Sequence, residues 1–397
     1  MSAAAIVGIG LTPFGRFKDR SLSELAGQAI ADAVTDAGIT PGDIDMAFVA
    51  NSMAAVTTGQ VAVVGQSVLR PLGYSGIPVY NIDNACAASS SALDLAVHAV
   101  ESGRADVVLV VGVEKLFGAE KSVSFRALNG AVNTEYLAAA EIRADAESVF
   151  VAHIYPRRLN QYRDMFGLSA RTLAEIAVKN RLHATRNPRA QFSKPLTVDD
   201  VLSARVVVDP LTVPMCAPIS DGASAVIVVS RRRAQAAQFR PIWVRGIAVG
   251  MGGASGPAGH ESLISRTAHR AFREAQIEPG DIGIAEVHDS IAFNELLAYE
   301  ELGLCGPGEG AEFVLSGRSR LDGEVPVNTS GGLESRGHPV AATGLAQIFE
   351  LVEQLRHDAG DRQVQDARIA VAENAGGYVV DDTAAAAVTV LSAEQPR

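Results

Sequence analysis

The chain has 397 residues, 48% of them hydrophobic and 20% charged, with 37 glycines, the make-up of a folded protein large enough for two domains or one duplicated unit. Its 34 basic and 45 acidic residues leave a net charge of −11, which repels nucleic acid and anionic membrane, so an anionic ligand must be gripped locally. Three scattered cysteines, Cys86, Cys216 and Cys305, exclude a disulfide framework and show no C-x-x-C spacing, so no metal is expected and a reduced, cytoplasmic setting fits.

The opening MSAAAIVGIG has no basic leader and runs directly into a strand pattern, which argues against a signal peptide. The longest clean apolar run, Val107 to Val111, is too short to span a bilayer. A helical pattern ending near Ala37 is followed by the turn P-G-D-I and a short strand, within AVTDAGITPGDIDMAFVANS at residues 33 to 52. The same succession returns at residues 271 to 290 as AFREAQIEPGDIGIAEVHDS, at an offset of 238. One unit has been used twice.

Cys86 follows in NIDNACAASSSALDL, with Leu93, Ala96, Val97 and Val100 on one face of the helix that begins after it. A lone cysteine is ordinarily a small buried hydrophobe. At a helix mouth, the unpaired N–H groups and the dipole are expected to lower the thiol pKa and favour the nucleophilic thiolate. The run ADVVLVVGVE from Ala105 is the next strand, and about 116–205 reads as an inserted subdomain with loop-like Tyr, Arg, Asn and Pro. Within it, KNRLHATRNPRAQFSK carries Lys179, Arg181, Arg186, Arg189 and Lys194 without an acidic residue. That stretch is either a grip for the phosphates of an anionic ligand or a solvated or partner-facing segment.

In the second half His288 ends the repeated strand, where α/β proteins build sites, either as an oxyanion donor or as a surface residue beside Asp289. His338 lies in NTSGGLESRGHPVAATG, on a loop fixed by Gly337 and Pro339, and suits proton transfer with a thiol. Leu345, Ile348, Phe349 and Val352 then repeat the helix face seen after Cys86, and ARIAVAENAGG from Ala367 is the answering strand. Residues 373 to 378, ENAGGY, offer backbone N–H groups at Gly376 and Gly377 for an oxyanion hole. Strands alternating with helices predict an α/β fold with buried sheets.

Four segments in this order, NACAASSSALDLAVHAV, SDGASAVIVVS, VHDSIAFNELLAYEELGLC and GGLESRGHPVAATG, resemble the thiolase superfamily, especially its sterol carrier protein branch. The resemblance implies a thiolase-like fold, five-layered αβαβα, with duplicated halves at 1–235 and 236–397 and a loop domain in the first. It also implies a homodimer or homotetramer, coenzyme A thioesters as substrates and no further cofactor. Carried over residue by residue, Cys86 is the acylated nucleophile, His338 its base and His288 the partner of His338 in one oxyanion hole. The N–H groups of Cys86 and Gly376 form the other, and Cys216 is structural. Two positions depart from the family. Asn374 stands where ordinary thiolases carry a second cysteine, and Ser290 where the sterol carrier branch reads H-D-C-F, so acyl transfer or decarboxylative condensation is expected over thiolysis. An aldolase acting with a small OB-fold partner and a non-catalytic scaffold are the competing expectations.

Overall fold

The computed structural model describes residues 4–118, 120–142, 147–235, 240–253, 261–379 and 382–395. The apolar runs form strands β1 (Ala4–Leu11), β2 (Met46–Ala50), β3 (Val79–Ile82), β4 (Val107–Lys115), β5 (Val206–Val208), β6 (Leu211–Thr212), β7 (Asp221–Ser230), β8 (Ile242–Met251), β9 (Ile284–Glu286), β10 (Ile369–Val379) and β11 (Asp382–Ser392). β5 and β6 make a small ribbon, and the other strands run in the order β3-β2-β4-β7-β1-β8-β11-β10-β9. Outward from the β1/β8 junction, β1-β7-β4-β2 on one side answers β8-β11-β10-β9 on the other. The junction rests on two residue pairs, Ala5 with Trp243 and Ile6 with Ile242, so two half-sheets meet at an edge.

The sequence repeat is a structural repeat. Helix Leu22–Asp36, turn Pro41–Asp43 and β2 recur as helix Leu263–Ala275, turn Pro279–Asp281 and β9. In both turns the aspartate accepts the N–H three residues before it, from Thr40 to Asp43 at 2.8 Å and from Glu278 to Asp281 at 2.9 Å. Each half also lays a helix directly on a strand glycine: a Cβ on Gly10 would meet Ala29 O at 2.0 Å and one on Gly246 would meet Ala271 O at 2.4 Å. Larger residues there would push the helix off the sheet.

Three apolar cores separate five layers. The central core holds Leu93, Ala96, Val97 and Val100 of helix Ala88–Glu101 and Leu345, Ile348, Phe349 and Val352 of helix Thr343–Leu355, together with residues of both half-sheets. Every residue of Thr343–Leu355 except Glu353 is buried, as a helix between two sheets requires. One outer core lies under helix Leu22–Asp36, and the other under helices Leu263–Ala275 and Ala292–Glu301. The thiolase-like αβαβα arrangement is therefore present. Between Leu116 and Ser220 the chain leaves the main sheet and forms helices, including Tyr155–Phe166 and Ala170–Ala184, that cover the second half.

Candidate active site

The nucleophile is placed by a strained turn. After β3 the chain bends through Asp83, whose carboxylate accepts the Ser52 hydroxyl at 2.6 Å and the Ala85 N–H at 3.0 Å. Ala85 is forced to φ +50°, a region that costs a side-chain-bearing residue of order 1–3 kcal/mol. Cys86 follows in the tight turn Ala85–Ala87 that opens helix Ala88–Glu101. Opposite it, Gly376 brings β10 against this turn, where a Cβ would lie 2.6 Å from Asn84 O and 2.7 Å from Ala87 N. The backbone N–H groups of Gly377 and of Cys86 itself lie close enough to the sulfur to favour its thiolate, and Gly376 sits beside them against the turn.

The expected lowering of the Cys86 pKa is corrected by this geometry. Burial and then the Glu114 carboxylate push the thiol up to about 12, and the two N–H groups recover only part of that. Desolvation outweighs the helix mouth. Cys216 and Cys305 are also pushed up to about 12, chiefly by burial, so thiolate content alone does not single out Cys86. What distinguishes it is the company it keeps: its sulfur and a ring nitrogen from each of His288 and His338 lie within 4.8 Å of one another.

The two imidazoles have different tautomers, assigned from their hydrogen bonds. His338 Nδ1 is 2.7 Å from Thr343 Oγ1, and that hydroxyl donates its own hydrogen to Pro339 O at 3.2 Å. In that arrangement Nδ1 carries the proton, which leaves the Nε2 lone pair free. The His338 backbone is held in turn by Ser220, whose hydroxyl accepts its N–H at 2.9 Å. For His288, Asn374 Nδ2 donates to Nδ1 at 3.3 Å, so Nε2 carries the hydrogen and acts as a donor. Burial, and then Arg336, pushes His288 down to about 3, while burial, His288 and Arg336 hold His338 well below its usual range. Both rings are neutral at working pH, one a base and one a hydrogen-bond donor. The surface alternative for His288 fails, because it is 6% exposed and its neighbour Asp289 is fully buried, accepting the N–H of Leu333 at 2.7 Å.

A cleft of about 820 Å³ opens over Cys86, His288 and His338 and is walled by Tyr155, Ser290 and Glu373 among others. Ser290, at the expected thiol position, bonds the Tyr155 hydroxyl at 2.7 Å. Glu373 was missed in the sequence, although a carboxylate inside an apolar strand is a legible signal. Its Oε2 accepts the backbone N–H of His288 at 2.8 Å, and burial pushes its carboxyl up to about 8. Among the described residues its Oε1 has no hydrogen-bond partner.

The basic stretch does not reach this cleft. Lys179 is buried, paired with Glu295 at 2.7 Å and donating to Val327 O at 2.7 Å. Arg181 is buried on Ser335, and Arg189 stacks over Phe349 while pairing with Glu353. Arg186 bonds Asp361 O, and Lys194 is exposed. None of the five lines the cleft, whose guanidinium groups come instead from Arg157, Arg158 and Arg266. The phosphate expectation for the stretch is therefore withdrawn.

A half-buried cysteine at the cleft beside a free imidazole nitrogen, with a second imidazole N–H and backbone N–H groups near it, defines enzymes that carry acyl groups as cysteine thioesters. The chain belongs to the thiolase family: its N-terminal domain model matches residues 4–232, and the model for the thiolase C-terminal domain-like unit matches residues 259–392. It is an acyltransferase of that family, on the sterol carrier protein branch. It is 36% identical over 384 residues to an acetyl-CoA acetyltransferase of Methanothermobacter thermautotrophicus, covering 95% of this chain and 97% of the relative. It is 32% identical to sterol carrier protein 2 of Bos taurus over 94% of this chain and 69% of that protein. Among solved structures, an Ltp2-ChsH2(DUF35) aldolase superposes with a TM-score of 0.81 at 25% identity, covering 100% of this chain and 99% of that one. No described helix is long and apolar enough to cross a membrane.

Proposed function

We propose that the protein transfers acyl groups between coenzyme A thioesters through an acyl-thioester on Cys86, and that this transfer outpaces thiolysis of 3-ketoacyl thioesters. The observation that carries the reading is the convergence of Cys86, His288 and His338 within 4.8 Å at the floor of the cleft. In the first step the Cys86 proton passes to His338 Nε2 as sulfur attacks the thioester carbon. The oxyanion is met by His288 Nε2–H and by backbone N–H groups, with the Cys86 and Gly376 pair in view from the family pattern and Gly377 beside it. Protonated His338 then returns its proton to the departing coenzyme A thiolate. Arg157, exposed on the cleft wall, is the candidate partner for the coenzyme A phosphates, and no cofactor beyond the thioester itself is invoked.

A carbon-carbon lyase acting with a small partner protein is the second reading, supported by likeness to the aldolase whose title names a DUF35 component. Retention of Cys86 and His338 within 4.8 Å of each other weighs against it. The test is mass spectrometry of the protein after mixing with acetyl-CoA. An acetyl group is expected on the Cys86 peptide and is expected to be absent in Cys86→Ala; an adduct that persists in Cys86→Ala, or none in the native protein, refutes the proposal.

A further inference from the structure

The carbon-carbon step of a thiolase-type reaction needs a proton at the carbon α to the thioester, and neither Ser290 nor Asn374 is an acid that can serve. We propose that Tyr155 is the proton donor to that carbon, held in place by Ser290 and Asn294. The inference rests on the acyl-Cys86 reading above and adds the group that reading lacks.

Tyr155 enters from the loop domain at the start of helix Tyr155–Phe166, and its half-buried ring packs at 5.8 Å on Phe150. It lines the same cleft as Cys86 and lies near enough for a charge on Cys86 to raise its pKa. Asn294 Nδ2 donates to Ser290 Oγ at 2.8 Å, and Ser290 Oγ is 2.7 Å from the phenol oxygen. With Asn294 occupying one acceptor site on Ser290, the serine hydrogen is free to point at Tyr155. Burial raises the phenol's pKa overall and keeps it protonated, while the neighbouring Ser290 and Asn294 side chains offset part of that cost for the anion left after donation. With the serine hydrogen on the phenol oxygen, the phenol's own O–H is left for the cleft. The serine in the place of a thiol thus acts as a support for a tyrosine.

The step balances. Cys86 sulfur, its proton passed to His338, adds to the 3-keto carbon. Collapse of the oxyanion restores C=O and breaks the bond between C2 and C3, and the electron pair stays on C2 as the enolate of the shorter thioester. Tyr155 O–H gives its proton to C2, leaving a phenolate bonded by Ser290, which Asn294 in turn holds. The incoming coenzyme A thiol gives its proton to that phenolate and attacks the acyl-Cys86 carbonyl. Cys86 leaves as thiolate and recovers its proton from His338.

The experiment measures three rates in one preparation: acyl-enzyme formation from acetyl-CoA, thiolysis of acetoacetyl-CoA, and exchange of the acetyl-CoA methyl hydrogens in D2O by mass spectrometry. Tyr155→Phe is expected to lower exchange and thiolysis by at least about 100-fold while acyl-enzyme formation stays within about threefold, the span usual for loss of a general acid against an untouched step. Adding Ser290→Cys to that variant is expected to recover at least about tenfold of the exchange, since a thiol is a competent acid there. The proposal is overturned if Tyr155→Phe keeps either carbon reaction within about threefold of the native protein, or loses acylation as severely as exchange. It is likewise overturned if the native protein acylates but exchanges no α-hydrogen, or if Ser290→Cys brings no recovery. A native protein that never acylates sinks the parent reading instead, which the first rate reports separately.

Discussion

His338→Ala tests how a thiol held so far from its thiolate form becomes a nucleophile. With Cys86 pushed up to about 12, only about one molecule in 10⁵ carries a thiolate at pH 7 without help. His338 is held well below its ordinary range, so its Nε2 lone pair is available throughout the neutral region. The native acylation rate should therefore be nearly flat from about pH 6 to pH 9, because the base is already deprotonated and the thiol is not yet titrating. Without the imidazole, acylation must draw on the spontaneous thiolate. The variant should be slower by about 10²- to 10⁴-fold at pH 7, and its rate should climb about tenfold per pH unit, narrowing the gap in alkali. Quenched single-turnover reactions with acetyl-CoA, read as acyl-enzyme by mass spectrometry, give both numbers. A loss below about tenfold at pH 7, or a variant whose rate is flat with pH, refutes base activation by His338.

Two further outcomes follow from the buried charges. Glu373 is raised from 4.5 to about 8 by burial, so its contribution to stability is full below pH 4.5 and is lost as pH rises through 8. Glu373→Gln should gain on the native protein as pH rises from 5 to about 8.5, by a few kcal/mol at roughly 1.4 kcal/mol per unit, measured by urea unfolding at each pH; a constant difference refutes the raised carboxyl. Lys179→Met leaves Glu295 without its cation beside buried Asp289 and Glu334, and should cost about 3–5 kcal/mol in urea unfolding. KM for acetyl-CoA should stay within about twofold in the folded variant, whereas a tenfold rise would restore the phosphate role to Lys179.

The duplication and the two helix faces of the central core were legible in local pattern, and the repeat put Cys86 and His338 at equivalent helix mouths. His288 joined them only through the family resemblance, because its position at a strand end fitted a surface residue equally well. The sign of the Cys86 shift was not legible, because it depends on a competition between a nearby helix mouth and burial that only the packed structure decides. The basic stretch misled for a related reason. A cluster of like charges in the sequence says nothing about acidic partners from elsewhere, and Lys179 finds Glu295 more than a hundred positions away. Tyr155 carried no signal at all, being one aromatic in a loop-like segment, and only its bond to Ser290 reveals it.

Glu114 shows why the nucleophile rests as a neutral thiol. This fully buried carboxylate accepts the N–H groups of Ser52 and Met53 at 3.2 Å on the side of the Cys86 turn and that of Ala341 at 3.3 Å on the His338 side. It thus pins a loop from each half of the duplication to the end of β4, and the catalytic pair can assemble only when both halves are folded. The same carboxylate, itself raised to about 7 by burial, contributes to the elevated pKa of Cys86. A device that joins the halves therefore also suppresses the resting thiolate. Nucleophilicity then arises only as His338 takes the proton during attack, which spares a buried thiolate the large cost of desolvation and limits its reaction with adventitious electrophiles.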